Sequence, residues 1–151
     1  MNQRQQNKSA WRALAAWAGA LLLVAGCSSI TDITNGGTQG GKLTGAQEVP
    51  PNASAASAVS AIKVAPDKSV SGMVTYTGLT ATAAHIHEAA AGSNGPVIIP
   101  LVKQSGDAFS VPPNTVLTDV QYNDYLAGHL YVNVHSATYP GGEIRFQLHP
   151  K

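Results

Sequence analysis

Two stretches near the C-terminal end of the chain alternate apolar and polar residues without a break, and they constrain the fold more than any other feature. From His129 to His135, Leu130, Val132 and Val134 share one parity while Tyr131, Asn133 and His135 share the other. From Glu143 to His149, Ile144, Phe146 and Leu148 alternate in the same way with Glu143, Arg145 and Gln147. Successive side chains on an extended strand point to opposite faces, so a period of two is the mark of a strand with one face on a core. Pro140-Gly141-Gly142 lies between the stretches and supplies a bend. The pattern predicts an antiparallel hairpin with the first parity inward and the second outward.

The same period recurs upstream. Ala55 to Val64 alternates with Ala58, Ile62 and Val64 on one side, Pro66-Asp67-Lys68 makes a turn, and Val70 to Thr77 alternates again with Val70, Val74 and Tyr76 inward. Ala83 to Glu88 reads as a short strand, followed by a glycine-rich loop from Ala90 to Gly95. Pro96 to Leu101 is apolar enough for a strand buried on both faces, and Ala108 to Val111 is a further short strand. One helix is predicted, from Thr118 to Ala127. Thr118 or Asp119 caps it, Val120, Tyr125 and Leu126 form its apolar stripe, and Gly128 ends it. Seven or so short strands with turns between them predict an all-β fold, a Greek-key or immunoglobulin-like β-sandwich or small barrel with one short crossover helix.

The N-terminal region is of another kind. A polar stretch with Arg4, Lys8 and Arg12 precedes an apolar run from Ala13 to Val24, the order of an export signal. A dozen apolar residues fall short of the roughly 20 needed to span a bilayer. The run ends in Leu23-Val24-Ala25-Gly26-Cys27, which resembles the lipobox of bacterial lipoproteins. Residues 1–26 are then a signal peptide and Cys27 the acylated first residue of the mature protein, anchored by its acyl chains at about 0.8 kcal/mol per buried methylene. Ser28 follows where Asp would retain a lipoprotein at the inner membrane, so the resemblance implies the outer membrane where the cell has one. The chain has one cysteine, so no intrachain disulfide is available and stability must come from packing. Residues 27–41, rich in Ser, Thr, Asn, Gln and Gly, read as a flexible tether.

Without Arg4, Lys8 and Arg12, six basic side chains face eight acidic ones, a net charge of about −2. There is no basic run to neutralise phosphates, which argues against nucleic acid as a partner. No Gly-x-Ser-x-Gly elbow and no phosphate-binding glycine motif occurs, and the single cysteine is assigned to lipid, so no nucleophilic triad can be assembled. The chain is read as a non-enzyme.

Several segments together carry a family resemblance: Leu43-Thr44-Gly45-Ala46-Gln47-Glu48-Val49-Pro50-Pro51, Ala84-His85-Ile86-His87, Gly95-Pro96-Val97, Val132-Asn133-Val134-His135-Ser136 and Pro140-Gly141-Gly142-Glu143-Ile144-Arg145. In this order they resemble the CHRD domain, a module named for its repeats in chordin, and the likeness places that domain at residues 42–151. Phe146 departs from the family pattern, which often has Gly after the Arg, and a local change in packing is expected there. The resemblance implies an immunoglobulin-like or related β-barrel and little established chemistry.

The histidines carry what chemistry the sequence offers. His85 and His87 are two apart in a strand, project to one face and lie roughly 6 to 7 Å apart along it, with Ile86 anchored behind them. His135, on the polar parity of its strand, is the third candidate ligand, and Glu143 across the hairpin is a candidate to ligate or to fix an imidazole from behind. The ring nitrogens are expected within about 5 Å of a common point. Three imidazoles with an open fourth position suit copper first, by the Irving–Williams order, with zinc as the alternative. The His85-Ile86-His87-Glu88 run is similar to the His-x-His of copper/zinc superoxide dismutase, but the disulfide and zinc loop of that enzyme have no counterpart here, so dismutase activity is not expected. His129 and His149 are read as solvated, and Met73 as core filler rather than a copper ligand. The leading expectation is a membrane-anchored module at the cell envelope that binds a divalent metal. The alternatives are a structural or adhesion module that binds protein or glycan, and a metal-dependent redox enzyme.

Overall fold

The computed structural model describes residues 38–150, so the stretch read as a signal peptide, Cys27 and the first part of the stretch read as a tether lie outside the described residues. The described chain forms ten strands: β1 (Thr38–Thr44), β2 (Ser57–Val64), β3 (Val70–Ser71), β4 (Met73–Thr77), β5 (Ala81–Glu88), β6 (Val97–Pro100), β7 (Val102–Lys103), β8 (Ala108–Ser110), β9 (Leu130–Ser136) and β10 (Ile144–Leu148). One helix, α1 (Asp119–Leu126), lies between β8 and β9. The strands pair antiparallel in the order β6-β5-β9-β10-β1-β2-β4-β8-β7, with β3 also on β2.

The two ends of that order are consecutive in sequence. β6 bonds to β5 and β7 to β8, and between them the Leu101 N–H donates to the Ala84 carbonyl at 2.9 Å. One extended segment thus leaves one edge of the sheet and joins the other, giving a nearly closed antiparallel sheet of barrel or sandwich type. Closure leaves few unpaired strand edges. The apolar parity of each strand meets inside: Leu43, Ile62, Val74, Ile86, Val132, Val134, Ile144 and Leu148 are all at most 1% exposed. Among the described residues, no helix is long and apolar enough to cross a membrane.

The hairpin read from the alternation is present, with Ile144 opposite Val134 and Leu148 opposite Leu130. Phe146 lies over Gly41, where a Cβ would come 2.0 Å from the ring, so the larger side chain is accommodated by a glycine on β1. The helix begins with Thr118 as N-cap in a capping box with Gln121 and ends before Gly128, whose φ is +74°. It crosses from β8 to β9, which are not sheet neighbours.

Several readings need correction. β1 starts at Thr38, inside the stretch read as tether, because residues 38–44 find a complete partner in β2 from Lys63 to Ser57. The Val70–Thr77 run is broken at Gly72, whose φ is +108° and where a Cβ would stand 2.1 Å from the Ala61 carbonyl oxygen. The segment from Pro96 to Leu101 is not buried on both faces: Ile99 and Leu101 point inward, while Val97 is 47% exposed. Met73 faces solvent, as the parity of Val74 and Tyr76 requires. Val120 and Leu126 of the helical stripe are exposed, and the helix packs instead through Tyr125 and the half-buried Tyr122.

The largest departure concerns the second parity of the C-terminal hairpin. Every residue of β9 is buried, Tyr131, Asn133 and His135 included, and so are Glu143 and Arg145. Two connections lie over this face. The segment after β1 donates to it through Asn52 and Ser54, which bond the Glu143 carbonyl and carboxylate. The loop between β5 and β6 is tied down by Gln147 to the Ala89 carbonyl and by Asn94, which takes a hydrogen bond from Arg145 and gives one to the Val49 carbonyl. Beneath them lies a second, polar interior.

Candidate metal centre

The polar layer is densest where β5 meets β9. In that ladder His135 is opposite Ala83, Asn133 opposite His85 and Tyr131 opposite His87, so His85 and His135 are diagonal neighbours on one face. Ile86, 1% exposed, is pinned in the hydrophobic core between the two β5 histidines and fixes which way they point.

The three rings are held close. Ring centroids lie 4.7 Å apart for His85 and His135, 5.6 Å for His85 and His87, and 6.1 Å for His87 and His135. One nitrogen from each ring lies within 4.8 Å of the others, so these three residues form a group that can hold a metal ion. The nitrogens converge within the expected 5 Å, while the His85 and His87 rings, 5.6 Å apart, are closer than the roughly 6 to 7 Å expected along a strand.

Backbone carbonyls set two of the tautomers. His87 Nδ1 is 2.9 Å from the Gly95 carbonyl oxygen, and His135 Nδ1 is 3.0 Å from that of Pro140. A carbonyl accepts and cannot donate, so in each neutral ring Nδ1 carries the hydrogen and Nε2 presents a lone pair. His85 Nδ1 lies 2.9 Å from His135 Nε2 and, with that lone pair facing it, donates. His87 Nε2 is buried and makes no hydrogen bond. Such carbonyl support behind an imidazole is what metal-binding histidines characteristically have.

Burial lowers the pKa of all three rings from the usual 6.5, since the charged form loses its water. For His85, the proximity of His135 and then His87 adds to the effect. At His87 the Gly95 carbonyl and then the Asn133 side chain oppose it, and at His135 the Pro140 carbonyl does, without overturning it. The site is a neutral set of nitrogen donors at pH 7, the form that ligates metal.

Other members of the layer brace it. The His87 ring stacks on Tyr131, 4.7 Å between centroids and 5° from parallel, and the Arg145 guanidinium lies over Tyr131 at 3.4 Å. β9 runs between β5 and β10, so Tyr131 is gripped from both sides. Arg145 also donates to Gln147 and to Asn94. Beyond Asn133 lies Glu48, 4% exposed, whose carboxyl is pushed up to about 7 by burial, against the pull of Arg145, the Val49 backbone N–H and Asn133.

Glu143 does not pair with His135 as expected: the register of β9 and β10 ends with Ile144 opposite Val134, the Glu143 N–H donates to the Val134 carbonyl, and the Glu143 carboxylate accepts from Ser54 Oγ at 2.6 Å. The Pro140 carbonyl takes the supporting role expected of Glu143. His129 is half-exposed with Nδ1 3.4 Å from Asp124, and His149 is exposed beside Gly128; neither joins the three-histidine group. Glu48, Tyr131, Asn133 and Arg145 were not foreseen as neighbours of the site. The signal available was composition: Tyr-x-Asn-x-His on a supposed solvent face has none of the Lys and Glu that such faces usually carry.

The family model of the CHRD domain matches residues 41–148, a span that contains every strand from the end of β1 to β10, the three histidines and the polar layer around them. Comparison with curated proteins and with solved structures gives no match. The match takes in well over half of the chain, and the chain belongs to the CHRD domain family.

Proposed function

We propose that this CHRD domain is a non-enzymatic module that takes up a divalent metal, copper before zinc, through His85, His87 and His135, and that it is lipid-anchored at the bacterial cell envelope. The observation that carries the metal reading is the cluster itself: three neutral imidazole nitrogens within 4.8 Å of one another, two of them with lone pairs already directed by backbone carbonyls. Copper is put before zinc because a set of nitrogen donors binds Cu(II) more tightly by the Irving–Williams order. In the metal-free protein a hydrogen bond spans His85 Nδ1 and His135 Nε2, so an ion shared by these two atoms takes the place of that hydrogen. To bind this way His85 moves its hydrogen from Nδ1 to Nε2.

Calorimetric titration with Cu(II) and Zn(II) at pH 7, on protein free of any histidine tag, tests the reading. His85→Ala and His135→Ala should each lower affinity by more than the roughly 10- to 100-fold that loss of a supporting group costs. Equal affinity in all three proteins, or no binding in the wild type, would leave the histidines as structural residues and favour the adhesion reading.

The anchor rests on the sequence: a charged start, a short apolar run and Cys27 after Ala25-Gly26. Metabolic labelling with a fatty acid should mark the wild type and not Cys27→Ser, because the chain has no second thiol to take the acyl group. Label on the serine variant, or none on the wild type, would end this part of the proposal.

A further inference from the structure

We infer that the side-chain oxygen of Asn133 is a fourth donor to the ion held by His85, His87 and His135, closing the site as three nitrogens and one oxygen. This rests on the metal reading above and goes beyond it, since that reading leaves the fourth position open.

Asn133 stands across from His85 in the ladder of β5 and β9 and shares its face with Tyr131 and His135. It is 1% exposed, so whatever its amide bonds to must lie inside the protein. The amide reaches Glu48 on one side and His87 on the other. Its nitrogen end is turned towards Glu48. Asn133 Nδ2 and Glu48 Oε1 lie 2.7 and 2.5 Å from the point where a Cβ on Gly142 would sit, and Gly142 leaves that point free. The oxygen end is turned the other way, and Oδ1 makes no hydrogen bond.

His87 Nε2, on that side, makes none either. With the His87 hydrogen on Nδ1, Nε2 offers a lone pair, and an amide oxygen also offers lone pairs alone. With the ring neutral and its hydrogen on Nδ1, neither can satisfy the other, and only a proton or a cation between them does. Buried acceptors without donors are rare in folded proteins, and two adjacent ones call for something electropositive between them. An ion bonded to His87 Nε2 satisfies both, and an amide oxygen is an accepted companion to imidazoles at copper. The consequence is functional. Sites with all positions filled by protein hold their metal, whereas catalytic sites keep one open for water or substrate, so a closed site favours holding copper over redox turnover.

The test is electron paramagnetic resonance of the full-length protein loaded with one equivalent of Cu(II) sulfate, in ordinary water and in water enriched in the oxygen isotope that carries a nuclear spin. The wild type should show no line broadening in enriched water. Asn133→Ala should bind at least tenfold more weakly and broaden, because water enters the vacated position. Asn133→Asp, which keeps the oxygen, should not broaden. Broadening in the wild type equal to that in Asn133→Ala, or an alanine variant with wild-type affinity and spectrum, would overturn the inference while leaving the three-histidine reading intact. Absence of Cu(II) binding by folded wild-type protein would overturn both. Should Asn133→Ala fail to fold, the wild-type and Asn133→Asp spectra decide on their own.

Discussion

A carboxyl as deeply buried as that of Glu48 can avoid an uncompensated charge by pairing or by keeping its proton. Arg145 is near enough to pull its pKa down, yet loss of water wins, and the group ends at about 7 instead of 4.5. The sign of the effect on stability follows. The folded pKa is raised, so the contribution is fully present below the unfolded value of 4.5 and is lost as pH rises through 7, where the native state must give up a proton that the unfolded chain has already lost. At 1.36 kcal/mol for each pKa unit, the loss is on the order of 3 kcal/mol by pH 8. Gln has the same shape and cannot ionise. Metal-free Glu48→Gln should therefore be more stable than the wild type at pH 8, with the difference shrinking towards pH 5. Urea midpoints at the two pH values measure this; a difference that does not change with pH would show that Glu48 titrates like an exposed carboxyl.

At the scale of strands and loops, what the sequence made legible and what it hid divide along one physical line. Alternation reports a side chain's parity, which is local geometry, and parity was right for Ala58, Val74, Tyr76, Ile86, Val132, Val134, Ile144 and Leu148. It likewise placed His85, His87 and His135 together, since that needed only a shared face and an adjacent pair of strands. Parity does not report what lies over a face. The outward side of β9 and β10 is roofed by the segment from Gly45 to Ser54 and by the loop holding Asn94 and Gly95, which come from far along the chain. Asn133 consequently looked like a surface residue, and Glu143 looked available to His135 when Ser54 had taken it. Barrel closure was hidden for a related reason. Pro96–Leu101 reads as one strand, but its role comes from passing between β5 and β8, a relation between edges that no single stretch encodes.

An ion held as proposed by His85, His87 and His135 would be coupled to the stability of the whole molecule, because these residues form a set only when β5, β9 and the Pro140 bend are assembled. An ion that binds the native state and not the unfolded chain stabilises it by about 2.7 kcal/mol at a hundred times its dissociation constant. Protons act against this from two sides. Burial lowers the pKa of all three histidines from 6.5, so their contribution is present above that value and is lost as pH falls, when the unfolded chain takes up protons that the native site resists. Further acidification protonates the native rings as well, and protonated imidazole cannot ligate. Metal-free protein should therefore lose the histidine contribution below pH 6.5, and the gain from Cu(II) should be large at pH 7.5 and small at pH 5. The comparison is thermal unfolding with and without Cu(II) at both pH values, for the wild type and for His85→Ala/His87→Ala/His135→Ala. The triple variant should show no gain from the ion and a weaker acid dependence when metal-free, with Glu48 contributing equally to both proteins. A Cu(II) gain in the triple variant as large as in the wild type would place the ion elsewhere, and an undiminished gain at pH 5 would mean that ligands other than imidazole hold it.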